Sequence, residues 1–272
     1  MSIGAVNNAT AFNVYTNYTQ ANSAMKENMS NLSEGRKGVE QDPAGVSISE
    51  RMQLTIGGTN MARQNLENGI SVMQTADSWM QKMNDILTRM NELAVEAVDD
   101  TKGSQDRANL QTEFGELQEE LDRIVSTASF NQQNLLDGTL SSAVLQIGAE
   151  QGQTMNIGIQ DMNGVVSSVT ASGTTISTVS QASAAIGHIL TAVDDVSEQR
   201  AELGGQMSRM ESTISGLMTN ENNIRAAESK IRDIDMAREA SEKAQNQALN
   251  QVGNAMLAQA NQLPSQVVQL LR

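Results

Sequence analysis

The feature of this sequence that most constrains its fold is a stretch of about 220 residues without proline, between Pro43 and Pro264. Proline interrupts helices because it lacks the backbone N–H and its ring clashes with the preceding turn. Aromatic residues make up only 2% of the chain, although they usually supply much of the buried area of a globular core. The core must therefore come from Leu, Ile, Val, Ala and 16 Met. Together these features favour long helices packed along narrow seams.

Apolar residues at helical spacing predict a long helix over residues 44–98. At about 1.5 Å per residue such a helix reaches ~80 Å, several times the usual length. A turn is expected over 99–104, and a second helix over 110–128. The residues of the long helix that we assign to an intrachain coiled-coil seam are Leu66, Ile70, Met73 and Leu87.

The clearest periodicity is a heptad register that runs unbroken from Ile186 to Ile224. Ten of its twelve a and d positions are apolar, which is typical of a coiled-coil seam. The seam residues on this side are Ile189, Val193, Val196, Leu203 and Ile214. Glycine pairs interrupt both long helices, at 57–58 and 204–205, and each glycine costs roughly 1 kcal/mol of helix propensity relative to alanine. Either a close approach of another element or a local bend would compensate.

The two ends of the chain carry thinner apolar stripes than its middle. The N-terminal helix is expected to end near Gly35, before a polar linker over 35–45, and the C-terminal helix is rich in Gln, Asn and Ala. The stripe residues are Tyr18, Met25 and Leu32 at one end and Leu249, Val252, Met256 and Leu263 at the other. Such thin stripes bury too little apolar surface for an independent domain, so we expect them to pack between copies of the chain.

Between the helical regions, apolar residues alternate on either side of a turn over 148–152, which predicts a small β-hairpin. The stretch 165–180 is rich in Ser, Thr, Gly and Val and has no charged residue, so a short exposed loop or a further strand is expected there. The β region then spans about 140–180. The sequence thus predicts a mainly α fold, in which the N- and C-terminal regions form a long antiparallel helical hairpin or coiled-coil bundle around this small β-hairpin region.

The composition disfavours several classes of function. A formal net charge of −14, without a cluster of Lys and Arg, argues against nucleic-acid partners and anionic membranes. The chain has no cysteine, which excludes disulfides and thiol chemistry. No stretch approaches the roughly 18 apolar residues of a membrane span, so no membrane insertion is expected. Residues 1–20 lack the pattern of a cleaved secretory signal.

Candidate catalytic and metal-binding residues are few. The single histidine, His188, has no nucleophile or metal ligand beside it in sequence, so a structural role on a helix flank is expected. The acidic pairs at 99–100 and 194–195 lack the alternating oxygen-ligand spacing of a calcium loop. We therefore expect no catalytic residue, no metal site and no cofactor.

Two further patterns have structural interpretations. Asp233, Asp235 and Glu239 alternate with arginines, which predicts an ion-paired helix face. Methionines such as Met73 and Met80 would suit an adaptable binding groove, but their spacing matches the helical seam and favours packing in the core.

Short strings in a fixed order along the chain resemble those of bacterial flagellins. In the first hundred residues these are LSEG at 32–35 with DPAG at 42–45, NGIS at 68–71 with QTA at 74–76, and RMNELAV at 89–95. SFN at 129–131, LLDG at 135–138 and LQIGA at 145–149 resemble the flagellin sequence that leads into the β region. MLAQANQLP at 256–264 and the final LLR resemble the flagellin C-terminus. Each string alone is weak, but their order over about 1–160 and 182–272 is highly specific.

The resemblance implies a subunit of the flagellar filament, which is a structural homopolymer. It also implies two domains: terminal helices over 1–43 and 224–272, disordered until assembly, and a spoke domain over 44–223. Only about 20 residues separate the hairpin from the C-terminal helix, so the variable outer domains of most members are missing. Further implications are a location in the filament outside the cell and export through the flagellar secretion channel without a cleaved signal peptide. The implied partners are an export chaperone and hook-associated and cap proteins.

The resemblance further implies a contact with an innate-immune receptor. Arg89, Leu93 and Glu113 fall where flagellins meet the vertebrate Toll-like receptor that senses them, although Asn91 stands where flagellins usually have arginine. The alternative for these residues is ordinary contact between neighbouring subunits.

Three other functions are the alternatives. A hook–filament junction protein shares the terminal helices, but the ending over 260–272 favours flagellin. A signalling coiled coil would need a sensory or membrane module, which the sequence does not contain. An enzyme would need convergent catalytic groups.

Overall fold

The structure is a computed structural model that describes residues 9–171 and 174–270, with side chains for all of them except residues 10 and 263–270. Within this part there are six helices and four strands. The helices are α1 (Ala9–Glu34), α2 (Pro43–Val98), α3 (Ser104–Thr127), α4 (Asn163–Thr170), α5 (Val179–Arg232) and α6 (Met236–Leu270). The strands are β1 (Ser129–Phe130), β2 (Gln133–Asn134), β3 (Ala143–Gln146) and β4 (Thr154–Ile157). The predicted fold class, mainly α with a small β region in the middle, is confirmed.

Local sequence explains where the first two helices end and begin. Gly35 follows α1 with a φ of +70°, and its N–H donates to the Asn31 carbonyl at 2.7 Å, as expected for a glycine that terminates a helix. Pro43 begins α2, where the first N–H groups of a helix have no intrahelical acceptor. The Asp42 Oδ1 atom accepts from the Gly45 N–H at 2.8 Å and so caps α2.

The two longest helices, α2 and α5, pack antiparallel. Asn60 donates to Glu221 at 3.4 Å, and Arg200 donates to Asp77 at 2.7 Å. Residue numbers along α2 therefore increase from 60 to 77 while those of the contacting residues on α5 decrease from 221 to 200. The two helices thus run in opposite directions. This is the predicted helical hairpin.

Contacts along the chain define two compact units, each described by itself. The terminal unit contains the residues up to Leu54 and those from Asn222 onward, and the central unit spans Thr55–Glu221. The apolar core belongs to the central unit. Its largest fully buried side chains are Phe114, Leu66, Met73, Met80, Met83, Leu87, Met90, Leu93, Leu121, Ile124, Leu135 and Leu136. Four methionines of α2, at positions 73, 80, 83 and 90, therefore pack in the core, as their spacing predicts, whereas Met61 of the same helix is exposed.

The buried face of α5 is wider than a two-row seam. Within the predicted register, Ile189 and Leu203 are fully buried. Ala185, Ala192 and Gln199 form a second fully buried row. Each of them directly precedes a residue of the predicted register, at 186, 193 and 200, that is only partly buried. The face widens because α5 packs against more than α2: its Gln206 side chain both donates to and accepts from the backbone of Gly158, at 3.1 Å in each case.

Two small antiparallel hairpins follow α3. In β1–β2, Phe130 pairs with Gln133, and the turn residues Asn131 and Gln132 have φ values of 48° and 66°. Positive φ at both central residues is typical of a two-residue hairpin turn that matches the strand twist. This hairpin is not among the elements predicted from the sequence. The predicted hairpin is β3–β4, in which Gln146 pairs with Thr154.

The expectation of an exposed loop or a strand over 165–180 is wrong. Residues 165–170 belong to α4, whose Val166 and Val169 are buried, and Thr174 and Ile176 beyond it are buried rather than exposed. The Gln118 side chain of α3 holds both parts, because it donates to the carbonyls of Val169 at 2.7 Å and Thr174 at 3.1 Å. The physical reason is the three-residue spacing of the two valines, which forms one apolar helix face.

The glycine pair of α2 has two different environments. A Cβ at position 58 would lie 2.9 Å from the Cα atom of Ala149, in the turn of the β3–β4 hairpin. A Cβ at the exposed position 57 would meet nothing within 4 Å. Close approach therefore explains Gly58, whereas Gly57, Gly204 and Gly205 have no such neighbour among the described residues.

We expect opposite effects from alanine at these two neighbouring positions. Gly57→Ala should raise the free energy of unfolding by about 1 kcal/mol through helix propensity, and Gly58→Ala should lower it by about 1–3 kcal/mol through overpacking against Ala149. Urea unfolding of the two variants measures both effects. Equal shifts of the same sign would contradict the close approach.

Gln199 is a polar residue in the core of the central unit. Its side chain is 1% exposed, and neither atom of its amide has a hydrogen-bond partner among the described residues. A buried amide without a partner costs about 1–3 kcal/mol. We expect Gln199→Met, which keeps the length and removes the amide, to raise the free energy of unfolding by about 1 kcal/mol.

A matched control for this substitution lies seven residues further along α5. Gln206→Met should lower the free energy of unfolding by about 1–2 kcal/mol, because the variant loses both hydrogen bonds to Gly158. Urea unfolding of both variants is the measurement. A loss of stability in Gln199→Met would show that its amide is hydrogen bonded in solution.

Candidate assembly surface

Helices α1 and α6 lie antiparallel in the terminal unit and meet through small and polar side chains. Ala21 and Ala260 are buried. The ring of Tyr18 lies against Gly253, where an added Cβ would be 3.2 Å from the Tyr18 Cδ2 atom. Glycine at this point lets the aromatic ring approach the α6 backbone. The contact between the two helices therefore uses few large apolar residues.

A buried polar cluster near the other end of this helix pair consists of Asn28, Asn31 and Glu239. The Asn31 Nδ2 atom donates to the Glu239 carboxylate at 3.0 Å. With its amide nitrogen facing the same carboxylate, Asn28 donates to it at 3.3 Å and accepts from the Lys243 N–H at 3.2 Å. A shift of α6 along α1 would leave these buried groups unpaired, so the cluster sets the register of the pair.

The predicted ion-paired face around Asp233, Asp235 and Glu239 is wrong. Helix α5 ends at Arg232 and α6 begins at Met236, so the two aspartates lie between helices rather than on one face. Asp235 caps α6, since its Oδ1 atom accepts from the N–H groups of residues 237 and 238 at 3.0 and 3.2 Å. Glu239 is the buried acceptor of the polar cluster.

Several large apolar side chains of the terminal unit face outward. On α6, Leu249, Val252 and Met256 are exposed, and on α1 so are Phe12 and Tyr15. The buried residues of these two helices are small or polar, whereas these five large apolar residues are exposed. Exposed apolar side chains in such number are typical of a protein–protein contact. We call these five residues the assembly surface.

An apolar groove of ≈ 490 Å³ runs between the two helices beside this surface. Tyr18, Ala21 and Ala24 line it from α1, and Leu249, Val252 and Met256 line it from α6. The apolar part of this lining is suited to the side chains of another helix.

The structure places the residues predicted for the terminal stripes in two settings. Tyr18, Met25 and Leu32 of α1 are half-buried, and Leu249, Val252 and Met256 of α6 are exposed. Leu263 lies in α6, but its side chain is outside the described ones. Sequence reasoning missed Phe12 and Tyr15, although two of the chain's few aromatics in one short polar stretch were a usable signal.

The predicted seam residues all belong to the core of the central unit or pack against it. The fully buried ones are Leu66, Met73, Leu87, Ile189, Val196 and Leu203. The partly buried ones are Ile70, Val193 and Ile214. Their role is to hold the central unit together, not to offer a surface.

The three residues predicted for receptor contact differ in exposure. Arg89 bridges the two helices α2 and α3, because it donates to Glu113 through Nη2 at 2.7 Å and through Nε at 2.9 Å. A further bond joins it to Glu92 at 3.0 Å. Hydrogen bonding to Glu113, then to Glu92, raises the pKa of the Arg89 guanidinium above its ordinary value. Leu93 is fully buried in the core of the central unit.

The described residues offer little to a catalytic or metal-binding function. No group of three or more His, Asp or Glu side chains among them is placed to hold a metal ion. His188 is exposed on α5. None of the helices in the described part of the chain is both long enough and apolar enough to cross a membrane.

Comparison with known families decides the identity of this helical architecture. A family model described as the bacterial flagellin N-terminal helical region matches residues 6–141, and one described as the bacterial flagellin C-terminal helical region matches residues 186–271. The chain belongs to the bacterial flagellin family. Flagellins are structural proteins and not enzymes, which agrees with a site made of packing surfaces.

Curated flagellins match nearly the whole chain. Flagellin from Halalkalibacterium halodurans is 41% identical over 96% of this chain and 95% of its own length. Flagellin from Bacillus subtilis is 37% identical over 97% of this chain and 98% of its own. Flagellin FlaB1 from Treponema pallidum is 38% identical over 85% of this chain and 86% of its own.

Two solved structures share the architecture. The crystal structure of Bacillus cereus flagellin is 25% identical to this chain, with a TM-score of 0.52, and the match covers 61% of this chain and 94% of that one. A putative flagellar hook-associated protein from Vibrio parahaemolyticus has a TM-score of 0.61 at 12% identity, over 71% of this chain and 100% of that one. At this low identity the second likeness shows only that the fold is shared.

Proposed function

We propose that this chain is a structural subunit that polymerises into the flagellar filament, the helical propeller of swimming bacteria. Membership of the flagellin family supports the proposal. The single structural observation that carries it is the outward-facing set of large apolar side chains in the terminal unit, Phe12, Tyr15, Leu249, Val252 and Met256. Neighbouring copies of the chain are the occupants for which this surface is suited.

The terminal and the central parts of the chain have different roles in this proposal. Residues 1–43 and 224–272 form the terminal domain, which is disordered before assembly and folds between subunits. Residues 44–223 form the spoke domain, which folds on its own core. In support of this division, the α1–α6 contact buries mainly small and polar groups, and little apolar burial means little stability for the pair alone. Asn28, Asn31 and Glu239 then fix the register of α6 against α1 once neighbouring subunits cover the apolar side of the helix pair.

Export and assembly partners belong to the same proposal. Flagellins form the filament outside the cell, and this chain reaches it through the flagellar secretion channel without a cleaved signal peptide. An export chaperone covers the apolar terminal residues before secretion. Hook-associated and cap proteins lie at the two ends of the filament. The exposed apolar side chains of α6 are the reason such a chaperone is needed.

Recognition by the vertebrate Toll-like receptor is a further part of the proposal. Arg89 and Glu113 are exposed and supply the polar contacts, whereas Leu93 is buried in the core and could act only through the position of α2. The alternative role for Arg89 and Glu113 is contact between neighbouring subunits.

Seeded growth tests the filament proposal. Purified full-length chain, added at near-neutral pH to short fragments of its own filaments, should extend them into long helical tubes visible by electron microscopy. The alternative is a hook–filament junction protein, which would share the terminal helices. A chain that caps the fragments without extending them would favour that alternative and overturn the filament proposal.

A further inference from the structure

Two sets of five methionines among the described residues differ widely in exposure. Met73, Met80, Met83, Met90 and Met210 are at most 1% exposed. Met29, Met61, Met218, Met236 and Met256 are between 47% and 55% exposed. Oxidation of a thioether requires access to its sulfur, so an oxidant in solution should separate these two groups.

Among the exposed group, Met256 occupies a special position. It lines the apolar groove between α1 and α6, one turn after Val252 and two turns after Leu249. Met61 and Met218 belong to the central unit and lie outside that groove. A chemical change at Met256 therefore alters the assembly surface, and a change at Met61 or Met218 does not.

We propose that Met256 is a modification site at which peroxide oxidation to the sulfoxide blocks incorporation of the subunit into a filament. The sulfur attacks one oxygen of hydrogen peroxide, and the S–O bond forms as the O–O bond breaks. The departing hydroxide takes the proton from the transferred oxygen and leaves as water. Sulfur loses two electrons and the peroxide gains them. A methionine sulfoxide reductase reverses the change.

The effect on assembly follows from the polarity of the product. The sulfoxide oxygen is a strong hydrogen-bond acceptor, whereas the side chains of Val252 and Leu249, which precede Met256 along α6 in the groove lining, have no donor. The lining also contains the amides of Asn17, Gln20 and Asn246. A copy that covers this surface would remove that oxygen from water, which disfavours the contact. This inference rests on the proposed function, because it assumes that the surface is covered during assembly.

The first experiment tests reactivity independently of assembly. The full-length soluble chain is treated with limiting hydrogen peroxide, quenched with catalase and analysed by peptide mass spectrometry. Met256 should be oxidised before Met80 and Met83, which are fully buried in the core. Equal oxidation of Met256 and these buried residues would overturn the proposal.

The second experiment tests the consequence within one sample. Chain oxidised to about one sulfoxide per molecule is mixed with filament fragments, and the pelleted filaments and the supernatant are analysed separately. The Met256 sulfoxide should be depleted from the pellet by about tenfold, while the Met61 and Met218 sulfoxides divide equally. Treatment with the reductase should return the Met256 peptide to the pellet. The proposal would be overturned if every sulfoxide divided equally between pellet and supernatant, or if every sulfoxide were depleted from the pellet to the same degree.

These two experiments separate failure of the inference from failure of the proposed function. If untreated chain does not extend the fragments, the filament proposal fails, and the oxidation order of Met256 can still be read from the first experiment. If untreated chain extends them and the Met256 sulfoxide is incorporated normally, only the inference fails.

Discussion

A chain lacking residues 249–272 is expected not to extend filament fragments at all, while the core of the central unit remains folded. The deletion removes Leu249, Val252 and Met256 from the assembly surface and Gly253 from its contact with Tyr18. It leaves intact the central unit, Thr55–Glu221, which holds the apolar core. Electron microscopy of seeded samples measures extension, and urea unfolding followed by circular dichroism measures the core. Global loss of helix on deletion would contradict the division between the two units.

A point substitution makes the same test without shortening the chain. Leu249 and Leu190 are nearly equally exposed, at 50% and 52%, on α6 and α5 respectively. Leu249→Ser should slow seeded growth strongly, because it places a hydroxyl in the apolar surface beside the groove. Leu190→Ser removes the same apolar area outside that surface and should slow growth much less. Equal slowing by both would show that exposure alone, and not the assembly surface, decides the effect.

The largest expected loss of stability comes from Phe114→Ala. Phe114 is fully buried on α3 in the core of the central unit. Replacing a buried phenylalanine by alanine removes its transfer free energy and leaves a cavity, which together cost about 3–5 kcal/mol. Urea unfolding of the variant followed by circular dichroism measures the change in the free energy of unfolding.

The matched control for Phe114 is another phenylalanine of the same chain. Phe12 is 70% exposed on α1, so Phe12→Ala should leave unfolding of the central unit nearly unchanged and reduce seeded growth instead. The two alanine variants therefore separate stability from assembly. A loss below about 1 kcal/mol in Phe114→Ala would mean that the core repacks around the cavity.

Much of the fold could be predicted because the determining forces are local or periodic. The expected long helix over 44–98 is α2, Pro43–Val98, and the expected turn at 148–152 joins β3 and β4. Helix ends depend on neighbouring residues such as Asp42 and Gly35, whose capping chemistry is readable along the chain. Periodicity also identified the buried faces of α2 and of part of α5.

Errors arose where the neighbours of a residue decide its role. Glu239 resembles a surface charge in sequence, yet two asparagines of α1 surround it in a buried cluster. The stretch 165–180 has no charged residues and resembles a loop, yet it forms α4 and a segment docked on α3 through Gln118. In both cases the partner is distant in sequence, so local composition contained no information about it.

The long proline-free stretch, the heptads and the capping residues by themselves determined that this chain forms long antiparallel helices with a small hairpin in the middle. These signals suffice because helix formation and amphipathic packing depend on neighbours within a few residues. Only the tertiary structure decided which face of α6 meets α1. The apolar spacing of Leu249, Val252 and Met256 identifies a face that must be covered, but not what covers it. That choice depends on the small and polar contacts with α1, at Gly253 and Glu239, which leave the large apolar side chains outside for another partner.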